Sequence, residues 1–82
     1  MNPTTEIAIL AQNIRLLRRT HRLTAEETAE IMSISTDALK QLESGELPLF
    51  MDVDSLFRLS KYFGIQIADL FRPTAEITEP KK

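Results

Sequence analysis

The 82-residue sequence has no cysteine and no tryptophan, and it contains only two glycines and one histidine. Without cysteine the chain can form neither disulfides nor thiolate metal sites, and it has no cysteine nucleophile. No apolar run approaches the roughly 18 residues of a membrane span, and the first residues lack the basic and then apolar pattern of a signal peptide. We therefore expect a cytoplasmic protein that makes no membrane contact.

Groups suited to catalysis are equally scarce. The single histidine, His21, lies near the end of the first predicted helix, where it suits the helix dipole or a phosphate better than acid–base chemistry. Asp52 and Asp54 stand at a predicted helix start, where capping accounts for them. The sequence has no glycine-rich phosphate loop, metal-ligand spacing or serine-nucleophile motif. We expect no enzyme, no metal and no cofactor.

The composition is that of one folded domain, with 43% hydrophobic residues and a net charge of −2. We assign this domain to residues 1–73 and a polar, flexible tail to 74–82. Residues 1–24 hold four arginines and one glutamate, a net +3, so the remaining six basic and eleven acidic groups give −5. The acidic total argues against indiscriminate nucleic-acid binding, but a locally basic side can still meet phosphate.

Hydrophobic spacing predicts helices throughout and no strand. The first helix carries one apolar stripe at a 3-4-3 spacing, which comprises Ile7, Leu10, Ile14 and Leu17. Arg18 borders this stripe and is expected to be half-buried. A later helix from Asp52 to about Phe63 is expected to turn a broad apolar face inward, formed by Val53, Leu56, Phe57, Leu59, Tyr62 and Phe63. A last short helix is expected from Ile67 to Phe71, closed by Pro73.

Two short helices joined by a tight turn occupy the centre of the chain. Thr24 and Glu27 form a capping box at the start of the first, and Ser35 caps the second. Gly45 is expected to end the second helix in a left-handed conformation. Short helices braced in this order can place side chains in the DNA major groove.

Between positions 7 and 71 the sequence contains an ordered set of short motifs. They are Asn13-Ile14-Arg15, Leu17-Arg18, Leu23-Thr24, Glu26-Glu27, Ala29, Ile34-Ser35, Leu39, Gln41-Leu42-Glu43, Gly45, Tyr62-Phe63-Gly64-Ile65 and Asp69-Leu70-Phe71. This ordered set resembles the Xre/Cro family, the phage-repressor type of helix-turn-helix protein. The resemblance implies a compact all-α fold of five helices, with the helix-turn-helix motif at helices 2 and 3 (residues 24–45). It also implies a homodimeric transcriptional repressor that binds double-stranded DNA.

The resemblance assigns roles to individual residues. The recognition helix is expected at residues 36–44, with base contacts from Thr36, Asp37, Lys40 and Gln41. Glutamine can pair with adenine through two hydrogen bonds, and lysine can bond guanine or a phosphate. Phosphates are expected at Thr24, Ala25, Ser44 and Gly45, with Arg15 and Arg22 as further contacts. Arg18 and Glu43 resemble a structural ion pair of the family.

Some positions depart from the family pattern and leave an alternative open. Ala25 stands where glutamine often braces a phosphate, Ser33 stands where the turn often has glycine, and residues 46–51 carry no basic group. The alternative is a protein-interaction module, such as an antitoxin-like partner, that retains the fold with weak DNA affinity. The dimer surface is also open, with candidate contacts at Ile9, Leu16, Phe50, Met51 and the pair Leu70/Phe71.

Overall fold

A computed structural model of the chain describes residues 3–48 and 51–72, and these residues form helices with no strand among them. The elements are α1 (Pro3–Thr20), α2 (Ala25–Met32), α3 (Thr36–Glu43), α4 (Val53–Phe63) and a 3₁₀ helix (Ile67–Phe71). The all-helical expectation is confirmed. The expected tail at 74–82, and Pro73 before it, lie outside the described residues.

The fifth expected helix is a 3₁₀ helix rather than an α-helix, so the described residues contain four α-helices. The same side chain makes hydrogen bonds at both of its ends. The Gln66 N–H donates to Asp69 Oδ2 at 3.0 Å, and Arg72 Nε donates to Asp69 Oδ1 at 2.7 Å. Five residues suit the tighter 3₁₀ geometry, which is used mainly in short pieces.

The capping residues predicted from the sequence set the starts of three helices. At α2, Thr24 Oγ1 accepts from the Glu27 N–H at 3.0 Å while the Thr24 N–H donates to Glu27 Oε1 at 2.8 Å. Ser35 Oγ accepts from the Ala38 N–H at the start of α3, and Asp52 Oδ1 accepts from the Ser55 N–H at the start of α4. These bonds satisfy backbone donors that have no partner within their own helix.

Left-handed residues end α1, α2 and α4. Arg22 follows α1 with a φ of 57°, Ser33 ends α2 at φ 60° and ψ 42°, and Gly64 ends α4 at φ 71°. The expected left-handed glycine after α3, Gly45, has a φ of 95°. Only the glycines take this conformation freely, since a side chain there costs about 1–2 kcal/mol. Ser33 thus performs the role of a turn glycine at a cost in strain.

All four α-helices and the 3₁₀ helix contribute to one apolar core. Its fully or almost fully buried members are Leu10, Ile14, Leu17, Ala29, Met32, Leu39, Leu42, Leu56, Leu59 and Leu70. Asn13 is also completely buried, and its Nδ2 donates to the Leu70 and Arg72 carbonyl oxygens at 2.6 and 2.8 Å. This side chain therefore fastens the 3₁₀ helix to α1.

The expected inward face of α4 is wrong at three of its six positions. Leu56 and Leu59 are buried and Phe63 packs against the core, but Val53, Phe57 and Tyr62 are 61%, 51% and 54% exposed. Two serines take inward positions instead. Ser55 and Ser60 are buried, and the Ser60 hydroxyl donates a hydrogen bond to the Phe57 carbonyl at 2.8 Å. Three of the six apolar side chains of α4 therefore face away from the core.

Candidate nucleic-acid interface

The α2–α3 pair is held by a three-residue turn and by its buried side chains. The Ile34 N–H donates to the Ala29 carbonyl at 3.0 Å, which closes the turn back onto α2. Leu39 and Leu42 are completely buried, and Ala29 is 2% exposed. Since both leucines lie on one side of α3, the opposite side of this eight-residue helix is turned to solvent.

The predicted base-contact residues lie on this outward side, which we call the α3 surface and define as Thr36, Asp37, Lys40, Gln41 and Ser44. Asp37, Lys40, Gln41 and Ser44 are exposed, and Thr36 is half-buried. Ser44 Oγ donates to the Gln41 carbonyl at 2.7 Å, which fixes the end of the helix. The α3 surface therefore offers donors and acceptors of the kind that contact base edges.

Glu46 lies beside the α3 surface, although no pattern in the sequence predicts a role for it. Gln41 Nε2 donates to Glu46 Oε1 at 3.3 Å, from one side of the Ser44-Gly45 turn to the other. The contact depends on the turn at Gly45, which has a φ of 95°. Helical periodicity in the sequence therefore does not predict it. The carboxylate orients the Gln41 amide and places a negative charge beside it.

Arg18 and Glu43 form the ion pair that the resemblance implies. Arg18 Nε donates to Glu43 Oε2 at 2.8 Å and Nη2 donates to Oε1 at 2.9 Å, a two-bond geometry that fixes both side chains. The side chains are 21% and 10% exposed. Hydrogen bonding to Glu43 raises the pKa of Arg18 above its ordinary value, against the opposing effect of burial. The pair ties α1 to the end of α3.

Three of the six predicted phosphate contacts are neighbours. Arg15, Ser44 and Gly45 line one shallow groove of about 210 Å³, together with α1 residues Ala8, Ala11 and Gln12. Arg15 Nη1 donates to the Glu43 carbonyl at the end of α3. The guanidinium thus stands at the edge of the α3 surface, with part of its hydrogen-bonding capacity used within the fold.

Two of the other three predicted phosphate contacts, Thr24 and Ala25, have less favourable surroundings. The Thr24 N–H is occupied by the Glu27 carboxylate, and Glu26 and Glu27 are both exposed in the first turn of α2 beside Ala25. Carboxylates stabilise a helix N-terminus in the same way as a phosphate would, so they compete for it. Arg22 is exposed in the turn before α2.

The predicted dimer contacts are mostly covered. Ile9 and Leu16 are half-buried on α1, and Met51 is half-buried and packs against the core. Leu70 is completely buried, so it is wrong as a dimer contact because it belongs to the core. Phe71 is 39% exposed, and Phe50 lies outside the described residues.

Comparison of the chain with protein-family models, with curated proteins and with solved structures finds no match. Within residues 3–48 and 51–72, no three histidine, aspartate or glutamate side chains are placed to share a metal ion. None of the helices in those ranges is long and apolar enough to cross a bilayer.

Proposed function

We propose that the chain is a sequence-specific DNA-binding regulator that reads the major groove with α3. The main support for the proposal is that α3 has a buried apolar side and an exposed polar side. Its inward side is anchored by Leu39 and Leu42, which are fully buried, and its outward side presents Lys40 and Gln41 to solvent. A rigidly held helix with exposed polar side chains suits base contacts.

Four residues of the α3 surface have distinct roles towards bases in the proposal. Gln41 pairs with an adenine through two hydrogen bonds, and Lys40 bonds guanine or a phosphate. Thr36 meets a base edge with its hydroxyl or a thymine with its methyl group. Asp37 accepts from a cytosine amino group or acts only as a first-turn carboxylate that favours the helix dipole.

Phosphates would approach the groove formed by Arg15, Ser44 and Gly45. The Glu26 and Glu27 carboxylates reduce the attraction at the other end of the interface, so we expect weak binding to unrelated sequences. Three or four phosphate contacts per monomer, roughly six to eight per dimer, would make the affinity of the dimer fall with salt at a log–log slope of about −6. The protein would act as a homodimeric repressor in the cytoplasm, on half-sites about 34–36 Å apart.

The test is selection of bound duplexes from a random library at low salt, followed by fluorescence anisotropy with the enriched duplex. We expect the Lys40→Ala/Gln41→Ala variant to bind at least about tenfold more weakly, since each base contact contributes about 1–3 kcal/mol. Arg19→Ala removes a positive charge from an exposed position on α1 and serves as the control. Enrichment of no sequence, or equal weakening by both changes, would contradict recognition by α3.

The acidic groups around α3 favour a second candidate, a protein-interaction module such as an antitoxin-like partner. Asp37 belongs to the α3 surface and Glu46 contacts Gln41 beside it, while Glu26 and Glu27 occupy the start of α2. This second candidate is supported if no duplex is enriched and a small toxin-like protein encoded beside this gene binds the purified chain. It loses if that protein does not bind while a duplex does.

A further inference from the structure

Six exposed side chains follow one another along the outward side of α4. We call them the α4 face. They form two rows at a spacing of four residues, and their members are Val53, Phe57 and Lys61 in one row and Asp54, Arg58 and Tyr62 in the other. Residues four apart are neighbours on a helix surface, so each row is continuous. Asp54, Phe57, Arg58 and Lys61 line a shallow hollow of about 320 Å³.

The α4 face combines exposed apolar groups with charges that have no ion-pair partner. Phe57 is 51% exposed and Val53 is 61% exposed, more than most of the apolar side chains in the described ranges. The ion pairs within those ranges involve neither Asp54, Arg58 nor Lys61. The negative charge lies at the start of the helix and the positive charges at its middle and end. An antiparallel copy of the same helix would reverse that order.

The geometry points to a second copy of this chain as the occupant of the α4 face, with the two α4 helices antiparallel about a two-fold axis between residues 57 and 58. In this register each residue faces the one whose number brings the pair to 115. Asp54 then faces Lys61 of the second copy, Phe57 faces Arg58, and Val53 faces Tyr62. The facing pairs are then one ion pair, one cation–aromatic pair and one apolar pair, each formed twice.

Each facing pair corresponds to a known favourable contact. Aspartate and lysine form an ion pair, twice by symmetry. A guanidinium over a phenylalanine ring forms a cation–π contact, and within one chain Lys61 Nζ already lies 5.8 Å from the centre of the Phe57 ring. Valine against tyrosine removes two exposed apolar surfaces from water.

The surface of one 11-residue helix is smaller than the roughly 800 Å² per partner of a standard interface, so the dimer is weak in isolation. If the proposed function holds, two adjacent half-sites would strengthen it by raising the effective concentration of the second copy. Pairing of the α4 helices is measured in the protein alone, without DNA. Failure of one proposal is therefore distinguishable from failure of the other.

The decisive experiment is sedimentation equilibrium up to about 1 mM protein, the range in which a weak dimer forms. Asp54→Lys places lysines at both facing positions, and Lys61→Asp places aspartates there. We expect each variant alone to dimerise at least about tenfold more weakly than the wild type, because two attractions become two repulsions. An equimolar mixture of the two variants restores opposite charges at both contacts and should dimerise as the wild type does.

The mixture controls for any loss of helix stability in the variants, because the same two chains are present in it. A monomeric wild type at every concentration, or a mixture no more associated than its components, would overturn the proposal. The register is tested by Val53→Cys mixed with Tyr62→Cys, in a chain that has no other cysteine. Disulfides should join the two variants in preference to like chains, and preference for like chains would refute the antiparallel register.

Discussion

The Arg18–Glu43 pair should be worth more than an ordinary surface ion pair, and a double-mutant cycle measures by how much. The relevant changes are Arg18→Ala, Glu43→Ala and both together. The two hydrogen bonds, at 2.8 and 2.9 Å, are charge-assisted, and the carboxylate side chain is only 10% exposed. Exposed pairs contribute about 0–1 kcal/mol, whereas removing one partner of a buried pair costs about 3–5 kcal/mol.

The two single changes should differ because the two side chains differ in burial. Arg18→Ala leaves the Glu43 carboxylate without its partner at the junction of α1 and α3, and we expect a loss of about 3 kcal/mol in the free energy of unfolding. Glu43→Ala leaves a guanidinium that is 21% exposed and can turn towards water, so about 2 kcal/mol is expected. The coupling energy should be about 1–2 kcal/mol.

Urea unfolding followed by circular dichroism measures these values at low salt and in about 1 M NaCl, where exposed pairs are screened. We expect the coupling to survive the added salt because the pair is largely enclosed. The double change Arg18→Met/Glu43→Leu, which substitutes apolar groups of similar length, should recover most of the stability. A coupling near zero, or one abolished by salt, would show that the pair behaves as a surface contact and would refute this reasoning.

Three further predictions concern a buried amide, a strained turn and an acidic neighbour. Asn13→Asp removes both donors to the Leu70 and Arg72 carbonyls, so the folded state should raise the pKa of the new carboxyl. The loss of stability in urea titrations should therefore grow as pH rises above about 4. Asn13→Ala is the control and should lose the same stability at every pH. Because Ser33 has a φ of 60°, Ser33→Gly should stabilise the fold by about 0.5 kcal/mol and Ser33→Val should destabilise it by about 1 kcal/mol. Thermal melts measure both changes, and an unchanged melting temperature for the valine variant would contradict backbone strain at this position. Glu46→Gln should strengthen binding of the selected duplex several-fold, because it removes a negative charge beside Gln41. Glu6→Gln, which removes the same charge at a position remote in sequence on α1, should leave binding unchanged. Equal anisotropy curves for both variants and the wild type would show that the Glu46 charge does not weaken DNA binding.

Local signals in the sequence were sufficient to predict where helices begin. Thr24, Ser35 and Asp52 each cap a helix through a bond to a residue three positions later, so short-range spacing contains all the necessary information. The stripe of α1 is also periodic, and Leu10, Ile14 and Leu17 are buried as that periodicity requires. The Arg18–Glu43 contact joins residues 25 positions apart, and it was expected only through the family resemblance.

Long-range packing decided the features that the sequence did not predict. Periodicity on α4 could not distinguish Leu56 from Phe57, because which apolar residue turns inward depends on what α2 and the 3₁₀ helix offer as neighbours. The burial of Leu70 under Asn13 depends on a contact between residues 57 positions apart. Glu46 reaches Gln41 only through the turn at Gly45. These contacts determine the charge beside the α3 surface and the apolar groups on the α4 face.

The most direct test of recognition by α3 is to repeat the duplex selection with Gln41→Ala and compare the enriched sequences with those of the wild type. If Gln41 reads a base, preference should be lost at one position in each half-site and kept elsewhere, with a discrimination change of about 1–3 kcal/mol at that position. An unchanged preference at every position, with affinity intact, would contradict the claim that the outward side of α3 reads DNA.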